Sequence, residues 1–142
     1  MSWLTDTRGS IALLGAFALL AIVLCVGLAI DGARAYYTAS KTTTVLDAAA
    51  LAAAKSMSER DLTDEEVRDV VARFIAAHMS VETERGITSL PADVTIDRVN
   101  DTVSVTMTAH VTTYIATLAG IPRFEVSRGA AATFGQLSLI HI

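Results

Sequence analysis

GSIALLGAFALLAIVLCVGLAI, residues 9–30, holds no charged side chain; Arg8 and Asp31 bound it. A helix over these 22 residues is about 33 Å long at 1.5 Å per residue, slightly more than the roughly 30 Å hydrocarbon core of a bilayer. Leu13, Leu14, Phe17, Leu19, Leu20, Ile22, Val23, Leu24, Val26, Leu28 and Ile30 all favour insertion. Gly9, Ser10, Gly15 and Gly27 oppose it only slightly. The reading is one transmembrane helix over 9–30 behind a short N-terminus, 1–8. A cleaved signal peptide is the main rival, because Ala33-Arg34-Ala35 has the A-x-A form of a cleavage site. Its apolar region would be too long, and Asp31 and Arg34 crowd the cut. A lipid anchor at Cys25 would need a small residue before it, and Leu24 is not small. Arg8 on one flank and Arg34 and Lys41 on the other leave orientation undecided by charge. The short N-terminus is the segment more easily kept in the cytoplasm while the long C-terminal part is exported.

Composition narrows the function. The chain of 142 residues is 52% apolar and 18% charged, against about 25% charged in ordinary soluble domains. A net charge of −4 supplies no basic stripe for nucleic acid. One cysteine excludes a disulfide framework and any multi-cysteine zinc site. No G-x-S-x-G, H-E-x-x-H, P-loop or G-x-G-x-x-G sequence occurs. The expectation is a protein without catalytic residues, metal, cofactor or small-molecule substrate, whose first partner is the lipid bilayer.

Beyond Asp31 the pattern stays helical. Ala35, Ala39, Thr42, Leu46, Ala49, Ala53 and Met57 recur at three- and four-residue spacing, and Ala48–Ala54 has very high helix propensity. The spacing predicts that the membrane helix continues as a stalk over 31–57. Gly32 and the β-branched run Thr42-Thr43-Thr44 are the places where it would bend. Thr63 and Glu66 form a capping box at the start of a second helix, from Asp64 to about Met79, with Val67, Val70, Val71, Phe74, Ile75 and His78 on one stripe. The acids Asp61, Asp64, Glu65, Glu66 and Asp69 suit a helix N-terminus and a wet face. The period then falls to two. Val94 and Ile96, and after an Asn100-Asp101 turn Val103, Val105, Met107, Ala109 and Val111, alternate with polar residues as a hairpin, with His110 on the wet face. A helical turn precedes Gly120. Phe124 to Phe134 alternates as a third strand, with Gly129 a candidate bulge. The fold class is therefore α+β: a transmembrane helix, a stalk helix, then a second helix packed on a small three-stranded antiparallel sheet over 58–136. The Phe74–Ile75 stripe is the expected cover of the dry face.

Two stretches carry a family resemblance. Arg8-Gly9-Ser10 opens the apolar helix and Gly27-Leu28-Ala29-Ile30-Asp31-Gly32-Ala33-Arg34 closes it. Asp47-Ala48-Ala49-Ala50-Leu51-Ala52 follows about 13 residues later. This resembles the N-terminal region of TadG-like proteins of the TadE/TadG family, in the Tad (Flp) pilus assembly system. Those have an R-G-[ST] opening, a G-x-A-x-D-x-x-R exit and a D-A-A-A-L-A run. The close likeness covers Arg8 to Lys55, and a looser one covers Val105–Ala109, Leu118–Ile121 and Val126–Thr133. Three features depart from the family pattern: Ala21-Ile22 stands where a mid-helix proline is frequent, Thr43-Thr44-Val45 stands where Gln-x-Ala often precedes the Asp, and nothing resembles a von Willebrand factor A-like domain. The resemblance implies a bacterial inner-membrane protein with its C-terminal part in the periplasm, a structural or assembly role beside other Tad pilus proteins or pilins, and no enzymatic activity. TadE-type pseudopilins, the closest alternative, have Glu five residues after the processing glycine; counted from Gly9 that place is Leu14.

The signature residues also have a physical reading. Asp31 and Arg34, at i and i+3, can pair on one helix face at headgroup depth, as a stop signal or a subunit contact. Tyr36 and Tyr37 fit the interfacial aromatic belt. Ala12 and Ala16 form a small-xxx-small pair that would let a second helix approach. The alanine run is expected to pack on the chain's own second helix. Leu137 to Ile142 matches nothing in the family and looks like translated sequencing adapter, so 137–142 is expected to be a non-native or truncated tail. The leading function is a Tad pilus assembly component. A pilin-like subunit of that system and a membrane-anchored sensing module are the alternatives.

Overall fold

The computed structural model describes residues 7–80 and 86–135, and side-chain surroundings from residue 11 onward. Most of the expected N-terminal segment 1–8 and the expected non-native tail 137–142 lie outside the described residues. Helix α1 spans Thr7–Glu59 and α2 spans Asp64–Met79. Strands β1 (Ile87–Ser89), β2 (Asp93–Asp97), β3 (Thr102–Thr112) and β4 (Arg123–Thr133) form one antiparallel sheet, with a 3-10 turn at Ala116–Ala119 between β3 and β4. The class is α+β, as the alternation and periodicity imply.

Helix α1 runs without a break for 53 residues, about 80 Å. The helix is not interrupted at Gly32 or at Thr42–Thr44, the candidate places for a bend. Thr38, Thr43 and Thr44 donate their hydroxyls to the carbonyls of Arg34, Ala39 and Ser40, four residues back, whereas the Thr42 hydroxyl is buried without a hydrogen-bond partner among the described residues. The two halves of α1 differ in surroundings. From Ile11 to Ile30 every side chain is exposed, and Gly27 is the one buried residue. From Asp31 onward one face is buried: Asp31, Thr38, Ala39, Thr42, Val45, Leu46, Ala49, Ala50, Ala53 and Ala54.

That face shows what the expected stalk helix packs on. Residues 31–57 do not stand apart from the domain; they are its central helix, lying across β3 and β4 and holding α2 on another side. Alanine and threonine let α1 lie close to the sheet, and β4 answers with Ala130 and Ala132. The expected cover, α2, meets the sheet mainly at β2. Its buried stripe is Val67, Val71, Ile75 and Met79, and these share a core with Leu46, Ala49, Ala50, Val94, Val103, Val105 and Met107. Phe74 is only half-buried and stacks on His78 with ring centroids 4.3 Å apart. His78 is exposed, and its Nδ1 donates to the Phe74 carbonyl at 2.8 Å.

The sheet has four strands where alternation implies three. β4 pairs with β3 along its whole length, so β1 and β2 must share the other edge, β1 at Ala109–Val111 and β2 at Thr102–Thr106. The additional strand is thus the first part of one interrupted lane, broken at Leu90-Pro91-Ala92. Proline cannot donate to the ladder, and three residues are too few to show alternation. Register along β4 is continuous through Gly129, opposite Thr106, so no bulge forms there. The inward parity is as read: Val103, Val105, Met107, Ala109 and Val111 are buried.

Local polar contacts hold the corners. Thr63 Oγ1 accepts from the Glu66 N–H, and Glu66 Oε2 accepts from the Thr63 N–H at 2.8 Å, which completes the capping box. The bond from the Thr63 N–H, and a second from its hydroxyl to Glu66 Oε2 at 2.9 Å, hold the Glu66 carboxyl below its ordinary range. Asp97 accepts from the Asn100 side-chain amide and from the backbone of Asn100 and Val99, shaping the β2–β3 turn. Arg98 reaches Asp64 Oδ1 at 2.8 Å and the Leu62 carbonyl at 2.7 Å, tying that turn to the start of α2.

Leu46 is fully buried at the meeting of the two helices and the sheet. Leu46→Ala is expected to cost about 2–5 kcal/mol in denaturant unfolding followed by circular dichroism, as buried large-to-small changes do. Phe74→Ala should cost less than Leu46→Ala. The reverse order would restore α2 as the principal cover of the sheet.

Candidate functional site

The signature at the end of the apolar half of α1 meets the connection between β3 and β4. Its centre is Asp31, which is 1% exposed. Asp31 Oδ1 accepts from the Tyr114 N–H at 2.9 Å, and Oδ2 accepts from the N–H groups of Ile115 at 2.8 Å and Ala116 at 2.9 Å. These are the unsatisfied donors that any helical turn presents at its start. Local sequence supplies no cap, since the residue before the 3-10 turn is Ile115. The carboxylate that caps the turn comes instead from a helix some 80 residues earlier in the chain. Bonds from the backbone N–H of Ala116 foremost, then Tyr114 and Ile115, with the charge of Arg34 adding to them, hold the Asp31 carboxyl below the usual carboxylate range despite the opposing effect of burial.

The neighbouring signature residues complete the contact. Arg34 donates from Nη1 to the Thr112 carbonyl at 2.6 Å, and its guanidinium lies 4.5 Å from the centre of the Tyr114 ring. Gly86 lies beside Arg34, and its φ of +74° is the left-handed conformation that favours glycine. One turn before Asp31, Gly27 faces Ile115. A Cβ on Gly27 would overlap Ile115 Cγ1 and lie 2.9 Å from its Cβ. The loop is closed internally by Thr113 Oγ1 donating to the Ile121 carbonyl at 2.5 Å and by the Ile121 N–H donating to Ala116 at 3.1 Å.

Gly27, Asp31 and Arg34 are therefore brought together on one loop. Ala49 and Ala50 are fully buried in the main core, while Ala48 is half-buried. Asp47 and Leu51, one turn apart, face outward, and Leu51 is 64% exposed. Ala12 and Ala16 lie exposed in the apolar half of α1. Arg8 and Gly9 lie in its first turn, and their side-chain surroundings are outside the described residues. Tyr114, Ile115 and Gly86 escape sequence reasoning altogether. For Tyr114 and Ile115 the signal was the uncharged run Val111–Pro122 with the left-handed Gly120 inside it, which reads locally as a turn and nothing more.

Comparison with known proteins places this segment. Residues 9–56 match the family model described as putative Flp pilus-assembly TadE/G-like. The chain carries a TadE/G-like segment there, over the same stretch as the resemblance seen in its residues. No curated protein and no solved structure matches the chain. Helix α1 is long and apolar enough to cross a membrane.

Removing the carboxylate tests the contact. Asp31→Ala should speed hydrogen exchange at the amides of Tyr114, Ile115 and Ala116 while leaving Val103 and Val105 protected. Because the folded carboxyl titrates below its ordinary range, its contribution is complete above the unfolded value. It is lost as pH falls through the folded one. Exchange at these three amides, corrected for intrinsic rates, should therefore rise only at acid pH. A rise near neutral pH would contradict the assignment.

Proposed function

We propose that the protein is a single-pass inner-membrane structural component of Tad pilus assembly, with its N-terminus cytoplasmic and its C-terminal domain periplasmic. It acts through contacts rather than catalysis. The observation that supports this best is a coincidence of position. The family match at 9–56 ends inside the α1 face that organises the domain, and its Gly27, Asp31 and Arg34 hold the β3–β4 connection. The apolar half, residues 9–30, spans the bilayer in this reading, and Asp31 marks the exit.

The signature residues that the fold does not use internally suggest where a partner binds. Asp47 and Leu51 belong to the matched segment yet lie on the outward side of α1, so packing within the domain does not account for them. Other pilus proteins are the partners proposed. Leu51→Asp should leave unfolding unchanged within about 0.5 kcal/mol, as surface changes do, and abolish pilus formation in cells. Normal piliation with Leu51→Asp would exclude that face.

A second reading, a pilin-like subunit of the same system, draws on one observation. An unbroken helix, exposed along its apolar half and packed on a sheet along the other, could bundle with copies of itself in a fibre. Leu14 in place of the glutamate five residues after Gly9 argues against it. The two readings separate in cells. The assembly reading expects carbonate-resistant membrane association, a protease-sensitive periplasmic domain and a mass unchanged by co-expressed prepilin peptidase. Cleavage after Gly9 would move the protein to the pilin-like class.

A further inference from the structure

We infer that the β3–β4 connection, residues 113–122, is a second membrane contact: it dips into the outer-leaflet interface of the bilayer beside α1. This rests on the reading of residues 9–30 as membrane-spanning. The argument begins with depth. Ile115 packs on Gly27, and Gly27 lies three residues, about 4.5 Å, before the end of the uncharged run at Ile30. The connection is thus seated below the exit point of the helix, not above it. Asp31 holds it there through three backbone bonds.

The surface that the connection presents at that depth is apolar. Leu118 is 75% exposed, Tyr114 61% and Ile121 46%. Single exposed hydrophobic residues are ordinary on a soluble surface. Here three fall within eight consecutive residues, with no charge from Val111 to Pro122 and no acidic residue between Asp101 and Glu125. The patch is continuous through Ile115 and Gly27 with the exposed apolar face of α1, the surface that lipid covers in this reading. Its chemistry suits the interface: leucine and isoleucine reach acyl chains while the tyrosine ring and Arg34 sit at headgroup level. The bonds Leu118 N–H to Ile115 and Gly120 N–H to Thr117 satisfy backbone donors inside the loop, which lowers the cost of leaving water. A contact on each side of Asp31 would set the domain's height and tilt on the membrane, where the helix alone leaves it free to rotate.

The test uses the full chain in phosphatidylcholine–phosphatidylglycerol vesicles, with the single native tryptophan removed by Trp3→Phe. Tryptophan is then placed singly by Phe17→Trp, Leu118→Trp, Ile121→Trp or Val99→Trp, the last at the exposed β2–β3 turn. Quenching by brominated acyl chains and by aqueous iodide reads the depth of each. The inference expects bromolipid quenching and a blue-shifted emission at positions 17, 118 and 121, and iodide quenching at 99. If position 17 is quenched by bromolipid while 118 and 121 are quenched by iodide, the helix spans and the loop contact is overturned, leaving the patch to a protein partner. If position 17 is also open to iodide, the spanning reading itself fails.

Discussion

One carboxylate joins the two halves of this molecule. Asp31 stands at the first charged position after 22 uncharged residues, yet it is buried, and its two oxygens take three backbone N–H groups from the β3–β4 connection. A buried charge without such partners would be strongly unfavourable, and a turn beginning at Ile115 would leave its own donors unsatisfied. Each deficit is met by the other. The result fixes where the sheet begins relative to the apolar half of α1, and everything from Thr38 to Ala54 then packs outward from that point. Gly27 and Arg34 belong to the same constraint, one by giving room to Ile115, the other by closing over Tyr114 and the Thr112 carbonyl.

The second constraint is the closeness of α1 to the sheet. A 53-residue helix with alanine and threonine on its inner face can lie near β3 and β4, where larger side chains would hold it away. This explains why the alanine run, which looks like helix propensity alone, has buried and exposed members in regular alternation. Ala49, Ala50, Ala53 and Ala54 pack inward, and Asp47 and Leu51 remain outside. The buried positions serve the fold. The exposed ones are free for the pilus partners proposed for a TadE/G-like segment.

Much of this was legible because it is local. The capping box at Thr63 and Glu66, the parity of Val103 to Val111, the turn after Asp97 and the uncharged run each depend on residues within a few positions of one another. What escaped was non-local or too short. Residues 31–57 read as a stalk because helical periodicity shows that a face exists but not what covers it. β1 is three residues long and interrupted from β2 by Pro91, so no alternation could reveal it. The partners of Asp31 lie more than 80 residues away, so its spacing to Arg34 invited a pairing on one helix face. The resemblance had singled out Gly27, Asp31 and Arg34 as a set, but only the fold shows that they share a loop.

The central claim is that Asp31 holds the β3–β4 connection against the apolar half of α1. It is tested most directly by a distance across that contact. Spin labels placed by Leu20→Cys and Thr117→Cys, in a Cys25→Ser background in liposomes, can be read by double electron–electron resonance. The account predicts a single narrow distance distribution with Asp31 present, and a broad, longer one with Asp31→Ala. A narrow distribution at the same distance in both would show that the connection stays in place without the carboxylate, and would contradict the account.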